Sequence, residues 1–169
     1  MGLLIRGSGA RVHVNVTSSM LDSGALEFEG DFGVSSQIMV AGSTLVTKSV
    51  HAVAFYLPSL GANSTLLLLD NYIGGNRYAV HFSIGVVDGG RTIVKGNTLT
   101  TTEEDGVESS VCVCAVLNDG YIDVENNTMS AVNGVYLFGD TVVISAGLLR
   151  VADSDFVAAR SFGFRVGVF

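Results

Sequence analysis

Asp123 and Glu125 stand two residues apart in the phrase GYIDVENNTM (120–129). In a strand this spacing puts both carboxylates on one face about 7 Å apart, and paired carboxylates are what hydrolysis of a glycosidic bond requires. A second acidic group, Glu103, Glu104, Asp105 and Glu108 in TTTEEDGVE (100–108), offers oxygen ligands to a hard cation such as Ca²⁺. Its spacing fits no defined calcium loop, so it reads as a solvated acidic loop. His13, His51 and His81 fall at different places in the chain's pattern and make no shared metal site; each reads as a single histidine, internally satisfied or facing solvent. Cys112 and Cys114 share a strand face at a separation too large for an easy bridge, which predicts two buried free thiols. Asp88 and Asp119, each followed by glycine, read as turn formers. Asn15, Asn63 and Asn126 each begin an Asn-X-Ser/Thr triplet and are candidate glycan acceptors.

The elements that must position these groups are strands. Among 169 residues there are 21 Gly, one Pro and no Trp, and 48% are apolar. Such a chain has the length for one domain with a sizeable core, made of short strands and glycine turns. Sixteen acidic against nine basic residues give a net charge of −7, and no basic cluster tracks one segment. Nucleic acid is therefore excluded as a partner class. No apolar run reaches the length of a membrane-spanning helix, and the opening MGLLIRGSGA carries no targeting signal.

A repeated phrase organises the strands. STLLLLDNYI (64–73), GRTIVKGNTL (90–99), GYIDVENNTM (120–129) and GLLRVADSDF (147–156) align without gaps. Leu66, Thr92, Ile122 and Leu149 form one column, and Leu68, Val94, Val124 and Val151 the next. Asn71, Asn97, Asn127 and Ser154 follow, and Ile73, Leu99, Met129 and Phe156 close the phrase. The asparagine column recurs at intervals of 26, 30 and 27 residues. GALEFEGDFG (24–33) and STLVTKSVHA (43–52) read as fainter copies, the first putting Glu27 and Glu29 in the outward columns of the phrase. After each asparagine a second strand is expected, YAVHF (78–82), VCVCAV (111–116), GVYLF (134–138) and FGFRV (162–166). A third follows in IGVVDGG (84–90) and TVVISAG (141–147).

A unit of about 27 residues with no room for a helix cannot bury its own apolar face, but stacked coils make one continuous core. The fold class is all-β: a right-handed parallel β-helix of about six coils over residues 1–169, with clear repeats at 64–169 and weaker coils at 10–60. At the end of the repeated strand the chain turns a corner, where asparagine tolerates the left-handed conformation and satisfies buried backbone groups. Asn71, Asn97 and Asn127 are thus expected to stack as an amide ladder. The column also sets Asp123 and Glu125 beside Lys95 on one side and Arg150 on the other, which predicts cross-strand ion pairs in place of an acid/base pair.

With these phrases in view, residues 62–156 resemble the repeats of the trypanosome dispersed gene family surface proteins, most closely in NSTLLLLDN, IVKGNTL, GYIDVENNTMS, NGVYL and SAGLLRVADSDF. That resemblance implies stacked pectin-lyase-type coils from the ectodomain of a membrane-anchored cell-surface glycoprotein. The chain would be a fragment of one, without signal or anchor. It implies no catalytic residue and no cofactor, and a role in adhesion or host contact, with a host matrix protein or a glycan as partner. The competing expectation is a degenerate carbohydrate-active β-helix enzyme, lyase-like or hydrolase-like, although no GHG, DD or RIK signature of the pectin hydrolases occurs. Uncapped coil ends would further favour end-to-end self-association.

Overall fold

The computed structural model describes residues 2–102, 109–131, 133–138, 142–144, 146–157 and 162–167. These residues contain strands and no helix, and three parallel sheets wrap one core as a β-helix rather than a barrel. The first sheet holds Leu3–Arg6, Leu26–Glu29, His51–Leu60, Tyr78–Asp88, Ser109–Asn118, Asn133–Phe138 and Phe162–Gly167, with Val142–Ile144 also paired to Ser109–Asn118. In the second run His13–Thr17, Gln37–Ala41, Thr65–Leu69, Arg91–Lys95, Tyr121–Glu125 and Leu148–Ala152. Short strands make the third: Met20–Asp22, Thr44–Val46, Tyr72–Gly75, Thr98–Thr101, Thr128–Ser130 and Asp155–Phe156. The second and third sheets are six strands deep, about five turns of the chain from first rung to last.

Side-chain alternation explains why the strands settle here. On the second sheet Ile38, Leu66, Thr92 and Ile122 form one inward column and Val40, Leu68, Val94 and Val124 the other, all fully buried. Leu45, Ile73, Leu99 and Met129 do the same on the third sheet. The first sheet contributes Leu26, Val53, Val80, Val111 and Val135, and beside them a stack of rings. Phe28 lies 4.9 Å from Phe55, and Phe55 lies 5.2 Å from Phe82, with nearly parallel planes. Each ring thus covers its neighbour one rung away, burying large apolar area at strand spacing.

The strands divide differently from the sequence expectation. YAVHF and IGVVDGG form one strand, Tyr78–Asp88, with a register shift between Ile84 and Val86. Gly85 is the extra residue, and a side chain there would meet the Pro58 carbonyl oxygen at 2.5 Å. A glycine bulge therefore shifts the register against Ser109–Asn118 without ending the strand. The third strand of each turn is instead the short segment just after the asparagine, which closes the phrase.

Two early copies also change place. GALEFEGDFG belongs to the first sheet, since Leu26 pairs with Val53 and Phe28 with Phe55. In STLVTKSVHA, Thr44–Val46 pairs with Tyr72–Gly74 on the third sheet. The second-sheet strands of the early coils are His13–Thr17 and Gln37–Ala41. Glu27 and Glu29 consequently leave the outward columns of the second sheet, where Asn15, Met39 and Leu67 precede Ile93.

Candidate functional site

The corner between the second and third sheets is built by two adjacent residues with separate tasks. The left-handed conformation falls on the first, at Ser18, Gly42, Asp70, Gly96, Asn126 and Asp153, and not on the ladder asparagines. Asn71, Asn97 and Asn127 come next and are buried. Asn97 Oδ1 accepts from the Asn71 backbone N–H at 2.9 Å and from Asn71 Nδ2 at 3.0 Å. Asn127 Oδ1 accepts from the Asn97 backbone N–H at 2.9 Å and from Asn97 Nδ2 at 3.0 Å. Each Nδ2 also donates to a carbonyl of the preceding rung, Asn71 to Val40, Asn97 to Leu68 and Asn127 to Val94, all at 2.9 Å.

Serine extends the ladder at both ends. Ser19 N–H donates to Ser43 Oγ, Ser43 N–H to Asn71 Oδ1, and Asn127 N–H to Ser154 Oγ. A shorter serine ladder, absent from the sequence reading, marks another corner, with Val12 N–H donating to Ser36 Oγ and Ser36 N–H to Ser64 Oγ. These groups are saturated by the backbone, and their chemistry is structural.

On the outer face of the second sheet, Asp123 and Glu125 lie between Lys95 and Arg150. Arg150 donates to Asp123 through Nε at 2.9 Å and Nη2 at 2.8 Å, a forked contact, and also binds Glu125. Lys95 Nζ sits 2.7 Å from Glu125 Oε1. That hydrogen bond holds the Glu125 carboxyl below its usual range and the Lys95 ammonium above its own. Both carboxylates are engaged by cationic side chains, and Glu125, held below its usual range, is no proton donor near neutral pH.

The first sheet brings together residues that the sequence reading kept apart. His51 and His81 lie on neighbouring strands with ring centroids 5.8 Å apart. His51 Nε2 is 3.3 Å from Glu27 Oε1 and 3.2 Å from the Tyr56 hydroxyl. The Tyr56 ring meets His81 edge-on, and Tyr78 tilts against it at 5.6 Å. Burial, reinforced by His51, lowers the His81 pKa to about 4, and its Nδ1 is buried without a hydrogen-bond partner. Burial, with Glu27 adding repulsion, raises the Tyr56 phenol. Next along this face, Cys112 pairs with His81 in register and is buried, its thiol pushed up to about 12 by burial and by Cys114. Cys114 is only partly buried, because it lines an open recess of about 190 Å³ at the Gly85 bulge.

A second recess, of about 270 Å³, opens beside Glu27 and is lined by Gly2, Leu3, Leu4, Ala25 and Ser49. Among the described residues no three His, Cys, Asp or Glu side chains converge on a metal site, and no helix is long and apolar enough to cross a membrane. His13 stands on the outer edge of the first rung, with no contact to the other histidines. Asp119 takes a left-handed turn and accepts a hydrogen bond from the Ala146 N–H, while Asn118 donates to Asp88 at 2.8 Å. Asn15, Asn63 and Asn126 are exposed. The acidic run Glu103–Glu108 lies outside the described residues. Compared with protein-family models, curated proteins and solved structures, the chain matches none of them.

Proposed function

We propose that the chain is a non-enzymatic scaffold from the ectodomain of a cell-surface glycoprotein of pectin-lyase-type β-helix architecture, presenting broad sheet faces to a host matrix protein or glycan. The observation that carries this reading is the state of the carboxylate pair Asp123 and Glu125. Asp123 and Glu125 are both held by Arg150 and Lys95, so the groups best spaced for acid/base work are committed to holding rungs together. Exposed Asn15, Asn63 and Asn126 suit a secreted, glycosylated parent.

The competing reading, a carbohydrate-active enzyme, draws support from the Glu27, His51 and Tyr56 contact, where an imidazole sits between a carboxylate and a phenol. A turnover screen against acidic and neutral polysaccharides separates the two, with Asp123→Asn and His51→Gln as controls. The scaffold reading expects no cleavage. Turnover that either substitution abolishes would make the chain an enzyme.

A further inference from the structure

The outer face of the third sheet differs in chemistry from the other two. One outward column runs Thr44, Tyr72, Thr98, Thr128, and the next runs Val46, Gly74, Thr100, Ser130. Between Asp22 on the first rung and Asp155 on the last, neither column holds a charge, in a chain whose net charge is −7. Tyr72 leaves 45% of its surface in solvent. None of the hydroxyls of Thr44, Tyr72, Thr98, Thr100, Thr128 and Ser130 hydrogen-bonds within the described residues. Beside Tyr72 the second column passes through the buried Gly74, which Thr100 and Val46 cover, an added side chain lying 3.0 Å from Thr100 Oγ1 and 3.7 Å from Val46.

We propose that this face binds a neutral glycan chain lying along the stack, with one sugar ring packed on Tyr72 and its neighbours hydrogen-bonded by the threonine hydroxyls. The inference deepens the scaffold reading and rests on it. Rungs repeat at about 4.8 Å, close to the length of one pyranose unit in an extended chain, so successive hydroxyls meet successive rings. An exposed aromatic face takes the apolar side of a sugar, and uncommitted hydroxyls both donate and accept, as a polyol requires. Other partners fit worse. Nucleic acid needs cations that this face lacks. A peptide adding a strand needs a free sheet edge, whereas each interior strand here is hydrogen-bonded on both sides. A lipid surface needs contiguous apolar area, and here the exposed Met20, Val46 and Tyr72 are interrupted by Asp22 and Thr44, with Thr98, Thr100, Thr128 and Ser130 beyond them.

Titration of the whole chain with cellohexaose and chitohexaose, followed by amide NMR shifts, tests the proposal. Shifts should gather on Tyr72, Thr98, Thr100 and Thr128. Tyr72→Ala, with its fold checked by circular dichroism, should weaken binding at least tenfold. The double change Thr98→Val with Thr128→Val keeps side-chain shape and should weaken it several-fold, while His51→Gln on the first sheet should leave it unchanged. Binding that survives Tyr72→Ala, or maps to the first or second sheet, overturns this assignment and leaves the scaffold reading standing. Absence of binding to either probe also overturns it. Cleavage of a probe would instead overturn the scaffold reading itself.

Discussion

At the scale of single residues, the ladder asparagines and the buried Thr92 make opposite predictions. Asn97 accepts two hydrogen bonds from Asn71 and donates to Leu68, Lys95 and Asn127. Asn97→Leu strands several of these groups, at roughly 1–3 kcal/mol for each one left buried and unsatisfied. Asn97→Ser should cost less, because the molecule closes the same corner with Ser43 and Ser154. Asn118→Leu should cost least, since its hydrogen bond to Asp88 is exposed and water replaces it. Urea midpoints of the three variants give the order, and equal small losses would show that the ladder contributes nothing to stability. Thr92 points inward with no solvent exposure, and its hydroxyl has no partner. Thr92→Val should therefore stabilise the fold by roughly 1 kcal/mol, the reverse of the usual core substitution. A loss of similar size would mean that the hydroxyl is bonded after all.

At the scale of strands and sheets, the first sheet carries the pH sensitivity. His81 has its pKa lowered from 6.5 to about 4, chiefly by burial and then by His51. The unfolded chain therefore binds the proton more readily, and the stability tied to a neutral His81 is complete above about pH 6.5 and is lost as pH falls towards 4. The shift amounts to roughly 3 kcal/mol, and the other ionisable groups on that face include Arg6, Glu27, Glu29, His51, Tyr56, Tyr78, Cys112, Cys114 and Tyr136. Denaturation from pH 7 to pH 4 should show this decline, and His81→Gln should flatten it; an unchanged slope in the variant would remove His81 as the cause. Strand pairing also explains what could be read from the sequence. The phrases from Ser64 onward could be aligned because alternation and asparagine coincide there, and the parallel β-helix follows from them. The earlier turns escaped, since Ser19 and Ser43 stand in the asparagine column and Leu26-Glu-Phe28 alternates as a second-sheet strand does. Alternation reveals a buried face but not which sheet owns it. The His51 and His81 contact was hidden for the same reason. They are offset by three positions in register, Tyr78 pairing with His51 and His81 with Ala54, and meet only through side chains on the outer face.

At the scale of the whole molecule, the backbone N–H groups of the corner residues are all closed in one direction. Ser19 is closed by Ser43, Ser43 by Asn71, Asn71 by Asn97, Asn97 by Asn127 and Asn127 by Ser154. In every pair the backbone donor comes earlier in the chain than the oxygen that satisfies it. A ribosome releases residues in that order, a few to about twenty each second. Each turn thus emerges before the atom that completes its corner has been made, and it stays open at that point until the next turn arrives. Assembly during translation therefore lags synthesis by one turn, and a pause after Asn97 would hold its backbone N–H exposed until Asn127 emerged.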